Sequence, residues 1–132
     1  MKTAIEKILT GLKLLAAFTS NEDYYVKIES SGYMPLSIEK HGTQITIAHY
    51  FEQCGDLIAD PDMEFEIIEG EWSPVAIQHS TGHYFRAVEY RDGKKFVSRS
   101  QLRDQRQFAR MWGRNLLSQG FAQGKVLTAE VC

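Results

Sequence analysis

The fold is decided by residues 24–49, YYVKIESSGYMPLSIEKHGTQITIAH, in which apolar side chains recur at every second position. A period of two is typical of a β-strand that buries one face. His41-Gly42 is predicted to form a two-residue hairpin turn, because glycine tolerates the positive φ that such turns require. The stretch therefore predicts three antiparallel strands. The alternating apolar positions are Tyr24, Val26, Ile28, Leu36, Ile38, Ile45 and Ile47.

The same pattern extends toward the C-terminus. Further strands are predicted at 63–68, 74–79, 83–90 and 94–97, with Asp92-Gly93 as the turn before the last of them. Six or seven short strands joined by hairpin turns predict an antiparallel meander that is half buried and covered by helices on one face.

A helix is predicted at residues 3–18, where apolar residues change to helical spacing. Thr3 and Glu6 have the spacing of a capping box. Gly11 weakens the middle of this helix by about 1 kcal/mol relative to alanine, so its apolar stripe needs a partner surface.

A second helix is predicted at residues 99–119. Ser98 with Gln101 is a candidate capping box, and Gly120 stands where a helix is expected to end. The apolar side chains of this helix lie on one side, and its arginines lie in a separate arc. The chain is thus predicted to be a single α+β domain, residues 1–132, with an antiparallel meander flanked by an N-terminal and a C-terminal helix.

Charge is unevenly distributed along the chain, although the net charge is only −2. Residues 1–40 carry five lysines and five acids. Residues 41–85 carry eight acids and no lysine or arginine, whereas residues 86–125 carry ten basic residues and three acids, a balance of +7. This layout predicts either two faces of opposite sign or two segments that neutralise each other.

Composition is that of an ordinary globular domain, with 43% hydrophobic and 24% charged residues. Cys54 and Cys132 fit neither a disulfide framework nor a zinc spacing, which favours reduced thiols in the cytoplasm. The apolar runs are too short for an export signal or a membrane span. We therefore expect a cytoplasmic protein that uses no cofactor and contacts no membrane.

The arginine stripe is the first candidate binding surface. One-sided basic helices suit the phosphate backbone of nucleic acids. The stripe can equally be a solvated face, pair with the protein's own acids, or contact a protein partner, and the acidic isoelectric point argues against unassisted DNA binding. Its members are Arg99, Arg103, Arg106, Arg110 and Arg114.

The second candidate is the acidic segment, residues 52–71, which can mimic nucleic-acid phosphates toward a basic partner. Its spacing matches no closed metal site, and residues 56–62, taken as a loop, lack the oxygen pattern of a calcium loop. Asp60-Pro61-Asp62 is typical of a turn. The candidate residues here are His49, Glu52, Asp56, Asp60, Asp62 and Glu64.

Signatures of catalysis are weak. Ser80-Thr81-Gly82 predicts a hairpin turn, so His79 and His83 cannot share a helix face as the histidines of a zinc protease do. Cys54 near His49 lacks an orienting third group. A hydrolase-like site around His49, Glu52 and Asp56 is the least favoured hypothesis, and it requires a pocket that holds these side chains together.

Three motifs carry a resemblance: Tyr33-Met34-Pro35-Leu36, then residues 49–57 with the pattern His-Tyr-x-Glu-Gln-x-Gly-Asp-Leu, then Asp60-Pro61-x-Met63. Over about residues 24–78 the chain resembles an uncharacterised domain of plasmid, phage and other mobile-element proteins, sometimes joined to antirestriction-type regions. The family position expected to be Asn is Cys54 here. The resemblance implies no catalytic residue, and it implies the accessory biology of a mobile element, with interference with host defence as one form.

The leading hypothesis is a non-enzymatic interaction protein of a mobile element, which engages a protein or nucleoprotein through the acidic segment and the arginine stripe. The alternative is a nucleic-acid-binding module that acts through the arginine helix alone. An open edge strand also allows a homodimer.

Overall fold

The computed structural model describes residues 1–131; Cys132, expected to be a reduced thiol, lies outside the described residues. Nine strands and three α-helices follow one another along this part of the chain, with a short 3₁₀ turn after the last helix. The elements are α1 Lys2–Gly11, α2 Leu15–Ser20, β1 Asp23–Glu29, β2 Leu36–His41, β3 Gln44–Gln53, β4 Asp56–Ile68, β5 Glu71–Gln78, β6 Tyr84–Arg86, β7 Val88–Arg91, β8 Lys94–Val97, α3 Arg99–Ser118, the 3₁₀ turn Phe121–Gln123 and β9 Lys125–Val131.

Seven strands form one antiparallel sheet in the order β6-β5-β4-β3-β2-β1-β9, and β7 with β8 forms a separate two-stranded ribbon. The first six strands of this order are a meander, because each pairs with its neighbour in sequence. The α+β class and the antiparallel meander between two helices are therefore confirmed. β9, which local periodicity does not predict, pairs with β1 and makes one edge of the sheet.

The hydrophobic core lies between one face of the sheet and the helices α1 and α3. The alternating residues of the opening stretch supply the sheet side of this core, and all seven are buried. From the helices, Ile5, Ile8 and Leu9 of α1 and Leu116 of α3 are completely buried against them. Among the described residues, no helix packs on the other face of the sheet, which we call the uncovered face.

The predicted helix 3–18 is wrong as one element, since it is broken into α1 and α2. Lys13 adopts a left-handed φ of 62°, which ends the first helix. The predicted capping box is also wrong, because α1 begins at Lys2 with Met1 at its N-cap, and no side chain caps it. At the second helix, Ser98 does accept a bond from the Gln101 N–H at 3.4 Å, and Gly120 ends the helix region with a φ of 86°.

Several strand boundaries also differ from the prediction. His41 pairs with Gln44, so the two-residue turn is Gly42-Thr43 and not His41-Gly42. The predicted strand 83–90 is divided at Ala87, where the chain leaves the large sheet and enters the ribbon. Asp60-Pro61-Asp62 is not a turn: residues 56–62 belong to β4, with a bulge opposite residues 48–50. The Asp92-Gly93 turn is confirmed.

Gly11 marks the closest approach of α1 to the 3₁₀ turn. A Cβ placed on Gly11 would lie 2.5 Å from the carbonyl oxygen of Ala122, a backbone atom that cannot swing aside. We expect Gly11→Ala to destabilise the protein by about 1–3 kcal/mol, although alanine is the better helix former. Urea unfolding measures this, with the exposed Lys7→Ala on the same helix as a control that should change stability by less than about 0.5 kcal/mol. Stabilisation by Gly11→Ala would contradict this packing.

Candidate functional site with two charged faces

The arginine stripe predicted from the sequence forms an exposed face of α3. We call it the arginine face: the exposed side chains Arg99, Arg103, Arg106, Arg110 and Arg114. α3 buries Ala109, Trp112 and Leu116 against the sheet, which turns the arginines outward. Four of the arginines and Leu102 line a shallow depression of about 360 Å³. The only carboxylate within 4.0 Å of these guanidinium groups, among residues 1–131, is Asp104, 3.6 Å from Arg103 Nε and itself exposed.

The acidic segment is divided by the fold between two places. Glu52 and Asp56 lie near the tip of the β3–β4 hairpin, where both are exposed. Asp62, Glu64 and Glu66 alternate along β4 with Met63 and Phe65. Since Met63 and Phe65 are buried under the helices, these three carboxylates point to the uncovered face of the sheet.

Tyrosines accompany the acids on that uncovered face. Residues paired across neighbouring strands place their side chains on the same face of a sheet. The pairing of β1 to β6 therefore puts several tyrosines and acids beside Asp62 and Glu64 on the uncovered face. We call this surface the acid–tyrosine face. Its members are Tyr25, Glu39, Tyr50, Asp62, Glu64, Glu66 and Tyr84.

Hydrogen bonds fix the acids on the acid–tyrosine face. The Tyr50 hydroxyl donates to Asp62 Oδ2 at 3.0 Å. From the ribbon, the Tyr90 hydroxyl donates to Glu66 Oε2 at 2.6 Å, and Lys95 Nζ lies 2.7 Å from the other oxygen of Glu66. The ribbon β7–β8 is therefore tied against one end of this face. Between them lies a polar trough of about 550 Å³, with Glu64, Glu66, Glu89, Arg86 and Tyr90 in its walls.

Partial burial makes the Asp62 carboxylate, at the centre of the acid–tyrosine face, harder to ionise. Burial raises the pKa of Asp62, with a further increase from the charge of Glu39 and a partial offset from the Tyr50 hydroxyl. Burial likewise raises the pKa of Tyr50, followed by the charge of Asp62. Burial and the charge of Glu64 also raise the pKa of Tyr84. The strand register also places Lys27 and Arg86 on this face, so its four carboxylates are partly offset. The carboxylates are only partly exposed, so a basic group bound to them would meet weak screening.

The arginine face and the acid–tyrosine face lie on opposite sides of the sheet. α3 packs on the covered side, whereas the acids of β2 and β4 point to the uncovered side. Within the part of the chain that the structure describes, no salt bridge joins the acidic segment to an arginine of α3. The two segments do neutralise each other at one point, where Lys95 pairs with Glu66, whereas the arginines of α3 form a face separate from the acids.

His49 lies on the covered side, away from the acids that the hydrolase hypothesis requires. It is 7% exposed, its ring packs against Trp112 and Phe121, and its Nδ1 lies 3.1 Å from the carbonyl oxygen of Pro35. Glu52 is three residues further along β3, so its side chain points to the other face of the strand. The structure does not bring His49 together with Glu52 and Asp56.

The environment of His49 leads to a pH prediction. Burial lowers the pKa of His49 from its ordinary value of 6.5. When the pH falls below 6.5, His49 binds a proton in the unfolded chain but not yet in the folded protein. Protonation therefore favours the unfolded chain, and the free energy of unfolding decreases until the pH reaches the lower pKa of the folded protein. We expect the stability advantage of the wild type over His49→Met to shrink between about pH 7.5 and about pH 5.5. The comparison cancels the opposite effect of His41, whose pKa is raised chiefly by its bond to Glu39. Parallel stability curves would contradict the assignment.

The remaining sequence candidates do not assemble into a further site. His79 and His83 flank the predicted turn, where the His79 N–H donates to the His83 carbonyl at 3.1 Å. Cys54 is an exposed free thiol at a φ of 54°, the first residue of the two-residue turn Cys54-Gly55. Such a position favours Asn, which agrees with the residue expected there from the resemblance. Residues 1–131 contain no group of three or more His, Cys, Asp or Glu arranged to hold a metal ion.

Sequence reasoning missed the tyrosines of the acid–tyrosine face and the buried Gln105 of α3. Alternation along β4 was a usable signal for the orientation of the acids. The sequence contains no local signal for the strand register that brings Tyr25 and Tyr84 onto the same surface. None of the helices in residues 1–131 has the length and apolar character needed to cross a membrane.

Comparison with protein-family models matches residues 3–122 to a domain of unknown function, DUF6908. No curated protein and no solved structure matches the chain.

Proposed function

This chain belongs to the DUF6908 family of unknown function, and from its two charged faces we propose that it is a non-enzymatic binding protein whose target is a nucleoprotein. The observation that carries the proposal is the separation of charge. Five arginines are exposed on α3, whereas four carboxylates lie on the opposite side of the sheet: Glu39, Asp62, Glu64 and Glu66. Among the described residues, no salt bridge joins the two sets.

The arginine face is suited to the nucleic-acid part of such a target. Guanidinium groups repeat along one side of a helix of 20 residues, which spans about 30 Å. Each phosphate that they neutralise releases counterions, which gives sequence-independent affinity that falls with salt. Phe108 and Trp112 fall between these arginines in the sequence, but both pack on the core side of α3. Phosphate contact and not base stacking is therefore the expected mode.

The acid–tyrosine face is suited to the basic protein part. Half-buried carboxylates flanked by tyrosine rings offer lysine or arginine side chains both a counter-charge and an aromatic surface. Complementary charge of this kind speeds association and selects against acidic partners. Because the two faces are on opposite sides, a target can occupy both only if it extends around the domain or contains two components.

The biological setting is the finer part of the proposal. The motifs in residues 24–78 resemble those of domains from plasmid and phage proteins, which is what suggests a mobile element and interference with host defence. Direct nucleic-acid binding by α3 alone is the second candidate function, favoured by the exposure of all five arginines.

Affinity capture from host lysate, with and without nuclease, tests the proposal. A nucleoprotein target predicts that nuclease reduces the captured material and that substitutions in either face reduce it further. In one outcome, nuclease and substitutions in the arginine face both reduce capture, while the double variant Glu39→Gln with Glu64→Gln does not change it. That result would support only the second candidate, direct nucleic-acid binding by α3. If no captured material is reduced by substitutions in either face, both the nucleoprotein proposal and the second candidate are overturned.

A further inference from the structure

The three central strands of the sheet present carboxylates on the uncovered face and no lysine or arginine of their own. Strands β2, β3 and β4 contain one such residue, Lys40, which points to the covered side and donates to the Phe18 carbonyl oxygen at 2.9 Å. Lys27 and Arg86, which offset part of the charge, lie further out, on β1 and β6. The centre of the face is therefore a negative surface. Its carboxylates are Glu39, Asp62, Glu64 and Glu66.

Contacts within the chain leave three of these carboxylates able to bind a partner. The ribbon already neutralises Glu66. His41 Nε2 lies 2.6 Å from one oxygen of Glu39, and this carboxylate has a second oxygen to offer. The Tyr50 hydroxyl likewise uses only one oxygen of Asp62.

The acids repeat at the spacing of the arginines on α3. Glu39 and Glu64 are both register partners of Thr46, one on each side, so two strand spacings put their backbones about 10 Å apart. Arg103 and Arg110 are seven residues apart on α3, which is nearly two full turns and about 10.5 Å. A helix laid across the strands can therefore meet both carboxylates with two guanidinium groups from one line of its surface.

The positions of the two faces determine what kind of assembly they can make. They lie on opposite sides of the sheet, so α3 does not reach the acids of its own chain. A two-fold dimer that joined both would need them on one side of the molecule, because each copy presents the same surface to the other. Contact between the arginine face of one copy and the acid–tyrosine face of the next must run head to tail, and it leaves one face of each kind free at the ends.

We propose that the arginine face docks on the acid–tyrosine face of a second copy of this chain, which forms head-to-tail chains at low salt. Arg103 and Arg110 pair with Glu39 and Glu64, and the neighbouring tyrosines offer the guanidinium groups an aromatic surface. The contact is polar, so a dissociation constant on the order of 10–100 µM is expected, and duplex titrations at lower concentrations are unaffected. The inference uses the two faces of the proposed function and needs no nucleoprotein.

Sedimentation equilibrium of the purified protein, freed of nucleic acid, tests the inference. At about 20 mM salt the average mass should rise with concentration above the 15.1 kDa of one chain, and at about 0.5 M salt it should return to that value. A wild type that stays monomeric at about 300 µM and low salt would overturn the inference. It would leave the nucleoprotein proposal standing, because a foreign target need not share the surface of a second copy.

Two neutral variants identify the surfaces. Arg103→Gln with Arg110→Gln removes charge from the arginine face. Glu39→Gln with Glu64→Gln removes charge from the acid–tyrosine face. Each variant alone should associate at least about tenfold more weakly than the wild type, since every contact needs both faces. Mixed in equal amounts, the two should form a dimer and nothing larger, because only one pair of intact faces remains.

The matched control, Lys7→Gln with Lys125→Gln, removes the same charge at exposed positions of other elements and should associate as the wild type does. Association that persists unchanged in either neutral variant would place the contact elsewhere, such as the edge strand β9, and would overturn the inference. A mixture that stays monomeric would do the same. Arg103 and Arg110 are exposed, so their variant keeps the fold and decides the outcome alone if the other does not fold.

Discussion

Reversing two charges of the arginine face, Arg106→Glu with Arg110→Glu, should weaken binding to a nucleic-acid duplex by at least about a hundredfold. Each charge-assisted contact to phosphate contributes about 1.5–3 kcal/mol, and the substitution replaces two attractions by two repulsions. Both side chains are exposed, so the fold should be unaffected. Fluorescence anisotropy with a labelled duplex at fixed salt measures the change.

The matched control reverses two lysines that lie on other elements, outside the stripe. Lys7 of α1 and Lys125 of β9 are exposed, and Lys7→Glu with Lys125→Glu changes the net charge by the same amount. If the arginine face is the binding surface, the control should lose less than about fivefold, because these lysines are not among the groups that contact phosphate and act only through the screened net charge. Equal losses in the two variants would show that net charge, and not the face, determines binding.

Removing the central ring of the core, Phe65→Ala, should destabilise the protein by about 3–5 kcal/mol. Phe65 is 2% exposed in the middle of β4, and its ring centre lies 5.9 Å from that of Trp72. A loss of this size is comparable with the whole stability of many small domains, so the variant should be partly unfolded at room temperature. Urea unfolding followed by circular dichroism measures it.

This substitution also tests which way the acids of β4 point. A slip of one residue in β4 would exchange Phe65 with Glu64 and move the carboxylates under the helices. Glu64→Ala should therefore change stability by less than about 1 kcal/mol, and Phe96→Ala in the exposed ribbon should behave in the same way. A large loss in Glu64→Ala with a small one in Phe65→Ala would place the acid–tyrosine face on the wrong side of the sheet.

The parts of the fold that follow from local periodicity could be predicted. Alternation in residues 24–49 gave three strands of the meander, and the cap at Ser98 with the stop at Gly120 gave the bounds of α3 to within one residue. The break at Lys13, where φ is 62°, could not be predicted in this way, because the apolar residues continue past it at Leu14 and Leu15. β9 pairs with a strand about 100 residues earlier, and such a partner is not visible in a local window.

The sequence predicts which charged residues form the candidate site, but it does not predict how the fold arranges them. The arginines of α3 follow directly from the helical spacing. The acidic segment is continuous in the sequence, but the two-residue turn Glu69-Gly70 and the bulge of β4 opposite residues 48–50 direct its members to different places. Gln105 falls in the apolar arc of α3 between Ala109 and Trp112 at 100° per residue, so its burial was available as a signal. Its unused acceptor depends on the side chains around it.

The most direct test of the two separate faces is the salt dependence of duplex binding, measured for the wild type and for Glu39→Gln with Glu64→Gln. Separate faces predict that affinity falls steeply with salt, with a slope of about −0.9 per phosphate contacted, and that the acid-face variant follows the same line within about twofold. Two results would contradict the account. One is salt-independent or absent binding by the wild type. The other is a large gain in affinity in the variant, which would show that these acids neutralise the arginines of α3.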